Sequence, residues 1–128
     1  MIVLDASVLI AHLESTDAHH RRATQLLLNA ADEQLAASPL TLAEVLVGPA
    51  HLNRIDRVEA VLRDLELTTV ALSEDAPARL ASLRASTRLR LPDCGVLLAA
   101  ESTGACIATF DDRLTAAATT LGLDVRTA

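Results

Sequence analysis

The residues best suited to chemistry in this sequence are a set of carboxylates. Asp5 closes an apolar segment at the start of the chain, and Asp111 and Asp112 follow another near its end. Glu44 and Asp93 lie between them, each among apolar neighbours. Carboxylates that converge without Lys or His partners repel one another unless cations lie among them. Hard divalent ions such as Mg²⁺ or Mn²⁺ accept oxygen ligands of this kind and activate water for phosphoryl transfer.

Each of these acids also has an ordinary structural explanation. Asp is favoured at helix N-termini, where it accepts backbone hydrogen bonds and is stabilised by the helix dipole. That explanation applies to Asp5, Asp93 and at least one of Asp111 and Asp112. For Glu44 the alternative is a capping box with Thr41, although Ser38-Pro39 is the better helix start. Burying Glu44 uncompensated in the apolar run 40–47 would cost several kcal/mol.

The apolar pattern predicts the elements that position these acids. Short strands are expected at 2–4, 34–37, 67–72, 105–109 and 124–127, and helices at 7–14, 17–31, 39–48, 53–66, from Ser73, 93–102 and 111–121. Such alternation predicts an α/β fold with a parallel central sheet of 4–5 short strands flanked by helices. In open sheets of this kind ligands bind beyond the carboxyl ends of the strands. Asp93, with apolar residues at i+3, i+4 and i+7, should lean toward the sheet.

Length and composition indicate one domain, residues 1–128, located in the cytoplasm. The chain is 51% apolar and has neither a linker nor an apolar run long enough for a membrane span. No secretion signal is visible at the N-terminus. Cys94 and Cys106 are expected to be buried thiols, and no zinc motif is present among the Cys and His residues.

Charge and residue types exclude several classes of function. A net charge of −6 argues against a protein that holds nucleic acid through a basic surface alone. With one Phe and no Trp or Tyr, a base-stacking module is disfavoured. No Lys is present, which argues against aspartyl-phosphate enzymes, receiver domains and a Walker A loop. Nuclease chemistry fits these residues best.

Four segments in this order resemble the successive motifs of the PIN-domain family. They are Val3-Leu4-Asp5-Ala6-Ser7, Thr41-Leu42-Ala43-Glu44, Leu91-Pro92-Asp93 and Ala108-Thr109-Phe110-Asp111. The resemblance covers nearly the whole chain. In its length and in the Leu-Thr-x-x-Glu form of its second motif, the chain is similar to VapC-type toxins. Cys94-Gly95 departs slightly from the family pattern. The resemblance implies a single PIN-like domain.

Carried over by position, the resemblance assigns roles to individual residues. It implies that an acidic quartet holds Mg²⁺ or Mn²⁺ and is catalytic: Asp5, Glu44, Asp93 and Asp111. It implies supporting roles for Ser7, Thr109 and Asp112, of which the two hydroxyls could also be a helix cap and a strand-end residue. The arginines nearest the motifs are candidates for contacts with RNA phosphates, with solvated surface residues as the alternative: Arg88, Arg90 and Arg113.

The function that the resemblance implies is a metal-dependent endoribonuclease that hydrolyses RNA phosphodiester bonds with activated water. It further implies the toxin of a VapBC-type toxin–antitoxin system, with a cognate antitoxin, a homodimer, and a heterotetramer or larger assembly. Apolar surplus on helices 40–47 and 58–65 suggests a surface for a protein partner. Two alternatives stay open: a stand-alone PIN nuclease of RNA processing, and a catalytically inactive PIN-like interaction module.

Overall fold

The computed structural model describes residues 1–126, in which strands and helices alternate. The strands are β1 Ile2–Leu4, β2 Leu35–Ala37, β3 Thr68–Thr69, β4 Cys106–Ala108 and β5 Val125–Arg126. The helices are α1 Ala6–Leu13, α2 His20–Asn29, α3 Pro39–His51, α4 Ile55–Asp64, α5 Ala76–Thr87, α6 Leu91–Thr103 and α7 Asp112–Thr120. The predicted α/β class is confirmed.

The sheet is parallel throughout, in the order β3-β2-β1-β4-β5. In the central strand β1, Val3 pairs with Ala36 of β2 on one side and with Ile107 of β4 on the other. Because the strands are parallel, their carboxyl ends lie along the same edge of the sheet. The residues that directly follow β1 and β4 therefore lie close together in space.

Two apolar clusters cover the two faces of the sheet. Val3 points into the cluster formed with α5, α6 and α7, whereas Ile2 and Leu4 point into the cluster formed with α1 to α4. Alternate residues of a strand face opposite sides, and β1 is buried on both because helices cover each face. The central strand at the carboxyl-terminal edge of the sheet is therefore packed on both of its faces.

Helix α3 begins as predicted and continues further than expected. Ser38 is its N-cap, with Oγ accepting a hydrogen bond from the amide of Leu40 at 3.2 Å, and Pro39 is its first residue. The predicted end near Gly48-Pro49 is wrong, because the helix continues to His51. Pro49 is tolerated in the last turn, where its missing N–H removes one hydrogen bond without stopping the helix.

Most other boundaries differ from the predictions by one to three residues, as at α2, which begins at His20 rather than at residue 17, and two differ in more than length. β3 contains only Thr68–Thr69 of the expected strand 67–72, and both residues are exposed at the edge of the sheet. Ser73 does not cap α5 directly: its hydroxyl donates to the Asp75 carboxylate, and Asp75 is the N-cap residue. Strand propensity alone could not predict the length of β3, because an edge strand has only one neighbouring strand to stabilise it.

In the carboxyl-terminal half, α6 begins at Leu91, two residues before the predicted start, and ends at Thr103, followed by the C-cap residue Gly104 in the left-handed conformation. β5 occupies part of the predicted strand 124–127, whose residue Thr127 lies outside the described residues. Cys94 and Cys106 are free thiols; Cys94 is buried as predicted, whereas Cys106 is only partly buried. In the described chain we find no helix long and apolar enough to cross a membrane.

Candidate metal centre

Asp5 directly follows the carboxyl end of β1, and its side chain does not cap helix α1. It occupies the N-cap position of α1, yet its carboxylate makes no capping hydrogen bond. Instead, Oδ2 accepts one hydrogen bond from Ser7 Oγ at 2.7 Å and another from Thr109 Oγ1 at 2.8 Å. The side chain is only 5% exposed. The ordinary capping explanation therefore does not account for this carboxylate.

The two hydroxyls that hold Asp5 also tie β1 to the segment after β4. Thr109 is fully buried, and its Oγ1 accepts a hydrogen bond from the amide of Asp111 at 3.0 Å. Ser7 Oγ accepts one from the amide of Phe110 at 3.0 Å. Neither hydroxyl is a helix cap, and both orient an acid, which is how residues around a metal ligand typically act.

Asp93 lies in the first turn of α6 and is buried, with 8% exposure. Burial is the main cause that raises the pKa of Asp93, and the charge of Asp5 raises it further. Arg90 opposes this effect, while the charges of Asp111 and Glu44 contribute in the upward direction. All four acids of the predicted quartet are therefore electrostatically coupled at Asp93.

A glycine allows α3 and α6 to approach closely beside this residue. A Cβ added at Gly95 would lie 2.8 Å from Oγ of Ser38 and 3.0 Å from Leu40 Cδ1. Real Cβ atoms do not approach neighbours that closely, so a larger residue would displace the Ser38 and Leu40 side chains at the start of the helix that carries Glu44. The departure from the family pattern at Cys94-Gly95 thus has a packing reason.

Glu44 lies on α3 inside the helix rather than at its start, so the capping-box alternative is wrong. Its side chain is 26% exposed, and its Oε1 lies 3.3 Å from a guanidinium nitrogen of Arg90. The other oxygen, Oε2, is buried without a hydrogen-bond partner among the described residues, as is Oγ1 of Thr41 one turn earlier. Buried polar atoms without partners are rare in proteins and are typical of places that take a water or an ion.

Arg90 bridges the acids of α3 and α6. Besides Glu44, its Nε lies 3.7 Å from Oδ2 of Asp93. Glu44, Asp93 and Asp5 raise the pKa of Arg90. This residue, predicted as an RNA contact, is in the structure a counter-ion of the acidic centre.

The structure separates Asp111 from its neighbour Asp112. Asp111 is the N-cap of α7, where Oδ1 accepts hydrogen bonds from the amides of Arg113 and Leu114. It is also the one whose charge acts on Asp93. Asp112 is exposed in the first turn of α7. Asp111 thus combines the capping role with a place in the acidic cluster.

The remaining predicted arginines are on the surface. Arg88 is exposed at the end of α5 in the left-handed conformation, and Arg113 is exposed at the start of α7. Neither takes part in the bridge that Arg90 forms.

The donor set fits a hard divalent cation. Within residues 1–126, no three acidic, His or Cys side chains already lie close enough to enclose an ion. Nevertheless, the charges of three other carboxylates act on Asp93, one carboxylate oxygen in these residues is buried without a partner, and an exposed arginine balances part of the charge. Mg²⁺ and Mn²⁺ need only one or two protein carboxylates and keep several waters. Asp5, Asp93, Glu44 and Asp111 are the residues that could hold one.

Fold and site together define a domain with an acidic centre at the carboxyl edge of a parallel sheet. The family model described as "PIN domain" matches residues 2–119, and the chain belongs to that family. PIN domains are a nuclease family whose members are typically metal-dependent. No match was found among curated proteins.

Solved structures agree with this assignment. A toxin–antitoxin complex from Klebsiella pneumoniae is 28% identical, with a TM-score of 0.76 and coverage of 99% of this chain and 97% of that one. VapC20 of Mycobacterium tuberculosis, described as a toxin that cleaves the sarcin–ricin loop, is 16% identical, with a TM-score of 0.77 and coverages of 91% and 95%. VapBC2 from Rickettsia felis, bound to a DNA fragment from its promoter, is 16% identical, with a TM-score of 0.74 and coverages of 98% and 98%. The latter two share the fold with this chain.

Sequence reasoning missed two features of this centre. The bridging role of Arg90 could have been inferred from its position three residues before Asp93 on a helix. The buried hydroxyl of Thr41 could have been found from its spacing of three residues from Glu44 on the same face of α3. Arg90 was predicted instead as a contact with RNA phosphate, and Thr41 as part of the second motif or of a capping box.

Proposed function

We propose that this chain is a Mg²⁺- or Mn²⁺-dependent endoribonuclease and the toxin of a toxin–antitoxin pair. The observation that carries the nuclease proposal is the geometry of the acidic centre: Arg90 contacts both Glu44 and buried Asp93, and Oγ1 of Thr109 contacts both the Asp5 carboxylate and the Asp111 amide. Family membership supports the same chemistry. When bound, the cation supplies an activated water and offsets the charge that develops on the phosphoryl group.

The residues of the chain have separable tasks in this proposal. Asp5 and Asp93 are the main ligands, and Ser7 and Thr109 keep the Asp5 carboxylate in one orientation. Glu44 and Asp111 complete the acidic set. Each would contribute the carboxylate oxygen that accepts no hydrogen bond from the described residues, which is Oε2 in Glu44 and Oδ2 in Asp111. Asp112 contributes charge beside Asp111. No side chain is needed as a covalent nucleophile.

The toxin role rests on resemblance and on an exposed apolar surface. Val47 near the end of α3 and Leu52 directly after it are 55% and 63% exposed, and Leu52 lines a groove of about 430 Å³ between α1, α3 and α4. Exposed apolar patches of this kind are typical of protein-binding surfaces. The Klebsiella structure is a toxin–antitoxin complex. We therefore propose a cognate antitoxin and a homodimer as partners.

The nuclease proposal is tested by incubating purified protein with a pool of structured RNAs in Mn²⁺ or Mg²⁺. We expect cleavage that EDTA abolishes and that Asp93→Asn reduces by about a thousandfold, the scale set by losing several kcal/mol of transition-state stabilisation. Asp56→Asn removes an exposed carboxylate of α4 and serves as the matched control. Mn²⁺ should also raise the Tm of the wild type and leave that of Asp93→Asn unchanged.

Folded protein that neither cleaves RNA nor gains stability from Mn²⁺ would favour the interaction module over the nuclease. The toxin role has its own test, which is growth after expression of the chain alone. Growth arrest that a co-expressed neighbouring reading frame relieves supports the toxin, whereas normal growth with retained cleavage in vitro supports a stand-alone nuclease.

A further inference from the structure

The only phenylalanine of the chain lies beside the acidic centre, between Thr109 and Asp111. Its ring forms a cluster with the start of α2. The guanidinium carbon of Arg22 lies 4.6 Å from the ring centre, and the ring of His19 lies 5.4 Å away at an angle of 42°. His19 and Arg22 are exposed, while Phe110 is half-buried. Planar groups of three kinds thus meet at one rim.

The hydrogen bonds of the acidic centre fix the position of this ring. The amide of Phe110 donates to Oγ of Ser7, which in turn donates to the carboxylate of Asp5. On its inner side the ring packs against the apolar cluster of α1 to α4. The ring is therefore held in a defined place next to the proposed site of cleavage.

A groove runs from this cluster along α2, and its charge differs from that of the other grooves. It has a volume of about 690 Å³, and none of its lining residues within the described part of the chain is a carboxylate: Ala18, His19, Arg21, Arg22, Gln25, Leu26 and Asn29. The groove between α2 and α4 is lined instead by Asp32, Glu33, Asp64 and Glu66. In a protein of net charge −6, the α2 groove is a largely apolar surface whose polar side chains are two arginines, one histidine and two amides.

We propose that the α2 groove and the Phe110 cluster bind single-stranded RNA and lead it to the acidic centre. Arg21 and Arg22 contact phosphates, and an unpaired base stacks on the group formed by Phe110, His19 and Arg22. Unstacked RNA bases bind to aromatic rings and guanidinium planes in this way. The proposal rests on the proposed nuclease function for its direction of RNA, and it places the RNA contacts on α2 rather than at Arg88, Arg90 and Arg113.

The test measures fluorescence anisotropy of a labelled single-stranded RNA of about 12 nucleotides. EDTA is added to prevent cleavage during the measurement. RNA binding to the α2 groove does not require a metal. Phe110→Leu keeps the apolar packing and removes the ring, and we expect it to weaken binding about tenfold. An RNA with abasic sites should bind the wild type and Phe110→Leu equally. Cleavage measured with Mn²⁺ should show the change in KM with little change in kcat.

The charge contribution is tested separately with the double variant Arg21→Gln/Arg22→Gln. Its plot of log affinity against log salt should be shallower by about 1.4, which is the value for two lost phosphate contacts on a single strand. Arg57→Gln/Arg63→Gln removes the same charge from exposed positions of α4 and is the matched control. It should keep the salt dependence of the wild type.

Wild-type protein that does not bind the probe, or variants that bind as the wild type does, would overturn the groove proposal. Equal weakening by the α4 control would overturn it as well, because the effect would then be one of net charge. Binding that depends on Phe110 in a protein that cleaves no RNA would remove the nuclease proposal alone.

Discussion

The two sides of the acidic centre are neutralised in different ways. On the sheet side, two neutral hydroxyls donate to Asp5, and one of them belongs to a fully buried threonine. On the helix side, Glu44 and Asp93 face the guanidinium of Arg90, whose side chain is 67% exposed. One side is held by short internal hydrogen bonds and the other by a long flexible cation.

This difference indicates how the centre can bind a cation without rebuilding itself. Hydroxyl donors orient a carboxylate while leaving its negative charge in place, so Asp5 is ready as a ligand. The Arg90 charge, in contrast, offsets the same charge that a divalent ion would offset. An exposed ion pair is worth only about 0.2–1 kcal/mol. A cation can therefore replace Arg90 at small cost.

The sheet side should be the more sensitive to substitution. Thr109→Val keeps the shape of the buried side chain, removes a donor to Asp5 and leaves the Asp111 amide without its acceptor. We expect metal affinity and cleavage to fall about 10–100-fold, as for other groups that orient metal ligands. Calorimetric titration with Mn²⁺ measures the affinity, and Thr119→Val on the exposed face of α7 is the control. Unchanged affinity would show that Asp5 needs no orienting donor.

A substitution on the helix side should change the free energy of unfolding of the metal-free protein. Because the pKa of Asp93 is raised in the folded state, folding favours its protonated form. This contribution to stability is therefore largest below the unfolded pKa and is lost as pH rises through the folded pKa. Asp93→Asn should stabilise the metal-free protein at neutral pH by about 0.5–1 kcal/mol, since Arg90 already offsets part of the repulsion.

Urea unfolding at several pH values measures this effect. The advantage of Asp93→Asn over the wild type should shrink as pH falls toward 4. Asp56→Asn on exposed α4 should show no such trend. A variant less stable than the wild type at neutral pH would mean that the Asp93 carboxylate is a net structural contact.

The sequence predicted the sheet side better than the helix side for a physical reason. Asp5 and Thr109 follow short apolar strands, and parallel strands bring such residues to one edge whatever their detailed packing. The pairing of Glu44 with Arg90 depends instead on how closely α3 approaches α6. The absence of a side chain at Gly95 permits the close contact with Ser38 and Leu40 of α3, and no periodicity reveals it.

The same limit applies to substrate contacts and element ends. Composition argued against a stacking module because the chain has a single Phe. The fold places that residue beside His19 and Arg22, which are far from it in sequence. Likewise, the short β3 and the extension of α3 to His51 follow from tertiary neighbours rather than local propensity. Counting residue types therefore cannot exclude a site that folding assembles.

The smallest expected effect is the one that separates the two sides most directly. Arg90→Gln removes the competing cation and leaves every carboxylate in place, so Mn²⁺ should bind about threefold more tightly, within the range set by exposed ion pairs. Arg79→Gln, which breaks the pair with Glu101 on the far end of α6, should leave Mn²⁺ affinity unchanged. Weaker binding in Arg90→Gln would mean that Arg90 positions Glu44 and Asp93 for the metal. The helix side would then be organised in advance, as the sheet side is.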